Sequence, residues 1–183
     1  MNFTKLPENL PAPIDDGASN HLLGLKLPSL SLISTNGNKV DLSKLKGRQV
    51  IFIYPMTGRP DVALPKGWNE IPGARGCSPQ SCSFRDLYKE FKLLDTEIFG
   101  LSTQSSEYQQ EVLARLHLPF QLLSDCKLEL KKEIRLPTFI VGNMELYKRM
   151  TLIIEDGYIK KVFYPVYPAD KNADLVLNYL QNR

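Results

Sequence analysis

The stretch PGARGCSPQSCSFRD, residues 72–86, joins a glycine-bearing loop to an amphipathic helix. Ser78 is a suitable N-cap, and Pro79 suits the first helical position, where its missing N–H costs nothing. The apolar residues that follow recur every three or four positions and predict one helix: Phe84, Leu87, Tyr88, Phe91 and Leu94. Cys77 is therefore expected at the N-terminus of this helix, within about two residues.

The predicted position of Cys77 favours a reactive thiolate. Unpaired backbone N–H groups converge at a helix N-terminus and the helix dipole is positive there, so a negative charge on sulfur is stabilised. Arg75 and Arg85 lie close in sequence and add positive charge. Since the thiolate is the nucleophilic form of cysteine, Cys77 is predicted to be a nucleophile at neutral pH. The competing interpretation is a small buried apolar residue.

Two continuous runs of β-branched and aromatic residues flank the helix and predict strands that are covered on both faces. They are residues 49–54 (QVIFIY) and residues 97–102 (EIFGLS). The other elements predicted from periodicity and turn signals are short strands at 30–33 and 120–123, extended structure at 40–41, helices at 105–116, 127–134 and 170–181, and a hairpin of 149–154 and 159–163.

This order of elements, βαβ followed by ββα, indicates an α/β domain of thioredoxin-like fold. We expect a central mixed β-sheet flanked by helices, with extra elements in front. A doubly wound flavodoxin-like sheet is the alternative, but the late hairpin argues against purely parallel pairing. The length of 183 residues suits a single domain. Residues 1–20, which hold three prolines and no periodicity, are predicted to be a flexible arm in front of a domain at 21–183.

Charge and cysteine usage argue against several classes of protein. A net charge of +3 with scattered lysines and arginines gives no reason to expect nucleic-acid or membrane binding. The N-terminus lacks the apolar segment of a signal peptide, and no run has transmembrane length. Three cysteines are too few for a disulfide scaffold, and their spacing with the two histidines forms no zinc motif. We therefore expect a cytoplasmic protein without metal or other cofactor.

The connection at residues 56–76 is unusually long for a strand-to-helix loop. It has 21 residues, whereas such loops usually have about 2–6. It contains the only tryptophan, Trp68, together with three prolines and four glycines. Because a sole tryptophan is seldom left fully exposed, we favour an inserted lid or rim over Cys77 above a tolerated surface insertion.

The segment from Gly76 to Asp86 resembles the Q-type peroxiredoxins, also called bacterioferritin comigratory proteins, which carry a Gly-Cys-Thr-x-x-x-Cys-x-x-Arg-Asp segment. The resemblance runs from about Leu25 to Leu180. It includes four further pieces in the right order, at residues 47–55, 99–103, 122–125 and 148–154. It implies a thioredoxin-like fold with N-terminal peroxiredoxin-type additions. The implied activity is a thiol-dependent peroxidase that reduces hydrogen peroxide or organic hydroperoxides, with a thioredoxin-like dithiol as reductant.

The resemblance also implies roles for individual residues. Cys77 would be the peroxidatic cysteine, which becomes a sulfenic acid, and Cys82 the resolving cysteine, which forms an intramolecular disulfide with it. Arg149 would hold the thiolate and polarise the peroxide; the competing interpretation is a solvated arginine at the start of a strand. Cys126 has no neighbouring cysteine in sequence and is interpreted as structural or incidental.

One part of the family pattern is displaced in this chain. Q-type peroxiredoxins place a proline and a threonine seven and three residues before the peroxidatic cysteine, where this chain has Glu70 and Ala74. Pro55 is the apparent counterpart of the proline, and Thr57 is the candidate for the hydroxyl donor.

Two other functions on the same fold remain as alternatives. A dithiol–disulfide exchanger usually separates its two cysteines by two residues and a copper chaperone by three, whereas four residues separate Cys77 from Cys82. A non-catalytic redox-binding module is the second alternative, because Ala74 offers no hydroxyl. The chain is expected to be a monomer or a weak homodimer.

Overall fold

The computed structural model describes residues 9–183 and contains helices packed on a central β-sheet. Its strands are β1 (Leu32–Ser34), β2 (Lys39–Val40), β3 (Arg48–Ile53), β4 (Thr96–Ser102), β5 (Gln121–Ser124), β6 (Thr138–Val141), β7 (Met144–Tyr147), β8 (Met150–Glu155) and β9 (Tyr158–Phe163). Its α-helices are α1 (Cys77–Asp86), α2 (Tyr88–Leu93), α3 (Ser106–Leu116), α4 (Glu129–Ile134) and α5 (Asn172–Gln181). No helix within residues 9–183 is long and apolar enough to cross a bilayer.

Seven strands form one mixed sheet in the order β2-β1-β5-β4-β3-β8-β9. The neighbours β3 and β4 are parallel, as are β4 and β5. Strand β8 runs antiparallel to β3, and β9 antiparallel to β8. The predicted thioredoxin-like mixed sheet is confirmed, and the antiparallel side of the sheet rules out the doubly wound alternative.

The sheet is buried on both faces because alternate side chains of β3 enter separate cores. Val50 and Phe52 pack with the residues of α1, α3 and α5. Ile51 and Ile53 pack on the opposite face, with residues of β1 and α4. This alternation is the geometry of a strand, and it explains why the run 49–54 is apolar throughout. The central position of β3 brings the following loop and α1 to the C-terminal ends of the parallel strands.

The helix predicted from residue 78 to residue 94 is two helices. The first begins at Cys77 with Gly76 as its N-cap residue, so Ser78 lies inside the helix and is not the cap. Gly76 has φ 107°, a conformation that residues with a Cβ rarely adopt, and this supplies the turn in place of a side-chain cap. The helix breaks at Leu87, where the backbone leaves helical geometry, and this lets Phe84 and Phe91 both be fully buried.

The hairpin of β6 and β7 was not predicted from the sequence. It forms a separate two-stranded sheet that immediately precedes β8. The sequence did contain a signal for this hairpin, because Gly142-Asn143 is a typical two-residue turn between two apolar runs. The hairpin matters for function because the inserted loop packs on it.

The arm predicted to be flexible lies only partly within the described residues. Residues 1–8 fall outside them. Residues 9–20 form no helix or strand, yet the Asp16 carboxylate accepts hydrogen bonds from Lys148 and from the hydroxyl of Tyr164. Near the other end, the Tyr167 hydroxyl donates to the carbonyl of Leu10 at 3.2 Å. These contacts hold the segment 10–16 against the loops that follow β7 and β9.

Candidate active site

The structure brings Cys77 and Arg149 into direct contact. Cys77 is the first residue of α1, and Arg149 immediately precedes β8; each is only 4% exposed. The Arg149 Nη2 donates to the Cys77 Sγ at 3.1 Å. Arg149 is therefore not the solvated residue of the competing interpretation, since its guanidinium lies beside the sulfur at the positive end of a helix.

All the other acceptors around the Arg149 guanidinium are neutral. Nε donates to the Gly73 carbonyl at 3.1 Å, and Nη2 donates to the carbonyls of Ala74 and Arg75, each at 3.1 Å. Nη1 donates to the side-chain oxygen of Gln80. A buried cation is costly unless an anion pairs with it. Among these contacts only the Cys77 sulfur can carry that negative charge, so the arrangement favours a thiolate.

A buried polar chain extends from Arg149 towards α5. Gln80, which accepts from Arg149, donates through Nε2 to the Asn172 Oδ1 at 2.8 Å. The Thr151 hydroxyl donates to the same oxygen at 2.7 Å. The Gln80, Thr151 and Asn172 side chains are all buried. Since buried polar groups need partners, this chain fixes the orientation of Gln80 and through it the orientation of the guanidinium.

Cys82 lies on the same helix as Cys77, five residues further on, and is half-buried. Burial raises the pKa of the Cys82 thiol, and the nearby Arg85 opposes this shift only in part. In a regular helix two Cα atoms at this spacing are about 8.7 Å apart, whereas a disulfide needs roughly 4.4–6.8 Å. The structure is therefore a reduced state, with both thiols free and α1 intact.

The Thr57 hydroxyl is directed to another partner. It donates to the side-chain oxygen of Gln104 at 3.1 Å, and the Thr57 carbonyl accepts from the Tyr108 hydroxyl at 3.0 Å. The residue three positions before Cys77 is Ala74, whose carbonyl lies 3.6 Å from the Cys77 Sγ. The structure thus brings together Cys77 and Arg149, but it places the Thr57 hydroxyl in a separate network.

Tyr54, at the end of the buried run 49–54, also packs beside Cys77, which the sequence did not predict. Its side chain is fully buried and belongs to the same packed cluster as Cys77. Within residues 9–183 its hydroxyl makes no well-formed hydrogen bond, although the Ser102 side chain lies close enough to interact with it. Burial raises the pKa of Tyr54, and negative charge on Cys77 raises it further, while Ser102 opposes the shift. The hydroxyl therefore stays protonated and remains available as a donor. A buried tyrosine hydroxyl normally has a hydrogen-bond partner. A tyrosine at the end of a strand predicted to be buried could therefore have been recognised from the sequence as a candidate donor.

The inserted loop packs on the β6–β7 hairpin. Trp68 is only 3% exposed and shares a small apolar cluster with Ala74, Val141 and Leu146. The tryptophan ring lies 6.3 Å from the ring of Phe139. This packing anchors the end of the loop that supplies carbonyl groups to Arg149.

The other sequence candidates lie elsewhere or act differently. The Arg85 guanidinium pairs with Asp86 at 2.8 Å and donates to the Leu116 carbonyl. Arg75 contributes its backbone carbonyl to Arg149. Cys126 is exposed. Within the described part of the chain, no group of three or more histidine, cysteine, aspartate or glutamate side chains is placed to hold a metal ion.

Comparisons with known proteins agree on one family. The redoxin family model matches residues 22–177. A protein of Sedum lineare named "Peroxiredoxin Q, chloroplastic" is 32% identical over 157 residues, which are 85% of this chain and 75% of that protein. Its namesake from Suaeda salsa is 30% identical over 157 residues, and the match covers 65% of that protein.

Solved structures show the same similarity. The chain matches the peroxidoxin BcpB of Mycobacterium tuberculosis with a TM-score of 0.71 and 25% identity, over 87% of this chain and 96% of that one. A cysteine-to-serine variant of PrxQ from Xylella fastidiosa matches with a TM-score of 0.71 and 20% identity, over 87% of this chain and 95% of that one, and so shares the fold. The chain belongs to the redoxin family and, within it, to the Q-type peroxiredoxins, which are thiol-dependent peroxidases.

Proposed function

We propose that Cys77 is the peroxidatic cysteine of this enzyme, that Cys82 resolves it, and that Arg149 stabilises the charges of the reaction. The observation that carries the proposal is the 3.1 Å contact between the Arg149 Nη2 and the Cys77 Sγ at the N-terminus of α1. It supports the two things that the chemistry needs, a thiolate and a fixed donor beside the reacting atoms.

In the first step the Cys77 thiolate attacks one oxygen of the hydroperoxide. An S–O bond forms and the O–O bond breaks, so the cysteine is oxidised to a sulfenic acid while an alkoxide or hydroxide leaves with the electron pair and takes up a proton. Arg149 stabilises the negative charge as it moves from sulfur to oxygen. The N–H groups at the start of α1 act in the same direction.

We assign to the Tyr54 hydroxyl the donor role of the family threonine, because Tyr54 packs in the same buried cluster as Cys77. Ala74 has no hydroxyl, and the Thr57 hydroxyl is committed to Gln104. A protonated hydroxyl in the cluster around Cys77, with no well-formed hydrogen bond of its own, suits the missing role.

In the second step the Cys82 sulfur attacks the sulfur of the sulfenic acid. An S–S bond forms, the S–O bond breaks, and water leaves with the proton from Cys82. A thioredoxin-like dithiol then returns the two electrons by thiol–disulfide exchange. Because the resolving cysteine is in the same chain, no partner subunit is needed, which supports a monomer or a weak homodimer. The small, odd number of cysteines in the sequence, three, also supports a cytoplasmic location.

The test compares wild type, Cys77→Ser and Cys82→Ser with hydrogen peroxide and a thioredoxin system. We expect catalytic turnover by the wild type and none by Cys77→Ser. Cys82→Ser should consume about one equivalent of peroxide and then stop. Turnover that persists in Cys77→Ser would overturn the assignment. Sedimentation velocity in the reduced and oxidised states tests the oligomeric state, and cell fractionation tests the location.

A further inference from the structure

A cavity of about 350 Å³ adjoins the Arg149 guanidinium. Arg149 and Gly73 line this cavity, and the same two residues are joined by a hydrogen bond from the Arg149 Nε to the Gly73 carbonyl. The opposite end of the guanidinium contacts the Cys77 Sγ. The cavity is therefore separated from the reacting sulfur by a single side chain, and Cys77 itself is almost inaccessible from outside.

Most of the cavity wall is apolar, and half of its lining residues come from the N-terminal arm and the inserted loop. The N-terminal arm contributes Pro13 and Ile14, and the inserted loop contributes Ile71. Phe139 and Val166 are among the further apolar residues of the lining. A cavity of roughly 150 Å³ is enough to bind benzene, so this one has space for an organic group of about ten carbon atoms. Hydrogen peroxide would leave most of this volume empty.

The polar groups of the wall are already paired. Lys148 forms an ion pair with Asp16, and the Tyr164 hydroxyl donates to the same carboxylate at 2.7 Å. The Arg149 donors are taken by backbone carbonyls, Gln80 and the Cys77 sulfur. No cation among these three residues is left over for an anionic substituent, so the lining favours a neutral ligand.

The arm is held over the cavity from both sides. Asp16 ties one end of the segment 10–16 to Lys148 and Tyr164, and Leu10 accepts from the Tyr167 hydroxyl at the other end. Between these anchors Ile14 is 85% exposed although it lies at the cavity. An exposed isoleucine at this place gains free energy when an apolar group covers it.

We propose that the arm segment 10–16 and Ile71 form a binding site for the organic group of a neutral hydroperoxide. The arm thereby raises the preference of the enzyme for bulky apolar hydroperoxides over hydrogen peroxide. With the organic group in the cavity, the peroxide oxygens lie towards Arg149 and Cys77. The inference rests on the proposed peroxidase function, since it adds a specificity site to that reaction.

The first experiment measures kcat/KM for cumene hydroperoxide and for hydrogen peroxide and reports their ratio. We expect the ratio to fall about three- to tenfold in Ile14→Ser, which makes the rim polar, and in Asp16→Ala, which releases the arm. The matched control is Leu93→Ser, because Leu93 is 83% exposed on α2 and away from the cavity. An unchanged ratio in both arm variants, or an equal fall in the control, would overturn the site.

The second experiment measures binding without turnover. Cys77→Ser is titrated with cumyl alcohol, the neutral product of cumene hydroperoxide, and methyl resonances of the isoleucines are followed by NMR. Saturable shifts at Ile14 and Ile71 that disappear in Cys77→Ser/Asp16→Ala support the site, and the absence of saturable shifts overturns it. If the wild type reduces neither peroxide, the proposed function fails, while this titration still decides whether the cavity binds a neutral organic group.

Discussion

At the scale of single residues, the arrangement around Cys77 depends on what surrounds one buried arginine. A carboxylate beside Arg149 would neutralise the guanidinium and weaken its effect on sulfur. Instead the guanidinium is held by carbonyl oxygens and by the neutral amide of Gln80. The acceptors fix its position without cancelling its charge, so the charge remains available to the thiolate and to the leaving oxygen.

Arg149→Lys keeps the positive charge but removes the planar fork that reaches several acceptors together. We expect kcat/KM for hydrogen peroxide to fall about a hundredfold or more, as for other losses of a transition-state donor, measured by stopped-flow oxidation. Arg85→Lys is the matched control, since Arg85 pairs with Asp86 and does not contact Cys77. Equal losses in the two variants would contradict the role given to Arg149.

Tyr54→Phe separates a catalytic hydroxyl from a structural one. Phenylalanine fills the same buried space and the hydroxyl makes no well-formed hydrogen bond, so the variant should be about as stable as the wild type to denaturant. The rate of Cys77 oxidation should nevertheless fall about tenfold or more, because a donor to the reacting oxygens is lost. A variant that keeps the full rate would show that the Tyr54 hydroxyl takes no part in the reaction.

At the scale of elements, α1 has two incompatible tasks. It must be folded to hold Cys77 against Arg149, and it must unfold to bring Cys82 within bonding distance. The serines at positions 78, 81 and 83 are weak helix formers and ease the second task. Gln80 couples the two, because unwinding α1 removes its side chain from Arg149 and Asn172.

Oxidation with one equivalent of peroxide should therefore unwind the start of α1. We expect a peptide that links Cys77 to Cys82, a monomer on a non-reducing gel, and faster amide hydrogen exchange from Cys77 to about Phe84. The tether of five residues gives the intramolecular cysteine the higher effective concentration. A disulfide-linked dimer, or a bond between Cys77 and Cys126, would contradict this.

The inserted loop is tied to the β6–β7 hairpin, and Trp68 is its anchor. Trp68→Ala should lower the free energy of unfolding, measured in urea, by about 3 kcal/mol. The control is Leu93→Ala, which should have only a small effect because Leu93 is exposed on α2. Trp68→Ala should also lower peroxidase activity, because the loop end beside Ala74 positions Arg149.

The loop is also expected to respond to oxidation of Cys77, so Trp68 fluorescence should differ between reduced and oxidised protein. Identical fluorescence in the two states would count against a loop that responds to the state of Cys77.

At the scale of the whole molecule, the Asp16 contacts tie the arm to the domain in a pH-dependent way. Hydrogen bonds from Lys148 and then Tyr164 lower the pKa of Asp16 from 3.8 to about 2. A carboxyl with a lowered pKa in the folded state stabilises that state above its unfolded pKa, and the stabilisation is lost as the pH falls through the folded value. The contribution should be complete above pH about 4 and vanish near pH 2.

The measurement is the difference in unfolding free energy between wild type and Asp16→Asn from pH 2 to pH 6. We expect a difference that is constant at the upper end and shrinks towards pH 2. A difference that grows as the pH falls would mean that Asp16 is not the group that titrates. The surface position of the pair keeps the effect small.

The parts of the fold that sequence predicted well are those in which local pattern and burial agree. Strands β3 and β4 lie within one residue of their predicted starts, because each is a continuous apolar run at the centre of the sheet. Cys77 also lies at its predicted helix start, although Gly76 and not Ser78 is the N-cap residue. The break at Leu87 followed from tertiary packing, which the periodicity of a single segment does not contain.

The polar interior of the site could not be predicted in the same way. Gln80 and Asn172 are polar residues of helices, where such residues usually face water, and their hydrogen bond joins positions 92 apart. Only the assembled fold shows that they are buried. Thr57 was the candidate to replace the family threonine because it lies just after Pro55 in sequence. In the structure its hydroxyl donates to Gln104 instead.

The acceptors that hold the Arg149 guanidinium form a clamp, and this clamp limits where the chain can gain or lose residues during evolution. Three of its acceptors are backbone carbonyls, at Gly73, Ala74 and Arg75, and carbonyl groups are common to every amino acid. Substitutions at positions 74 and 75 that preserve the backbone therefore leave the clamp in place. A deletion or insertion between Ile71 and Cys77 moves all three carbonyls at once. The exposed stretch at 60–63 carries no such constraint, so length variation among descendants of this chain should accumulate there and stop short of the buried Trp68.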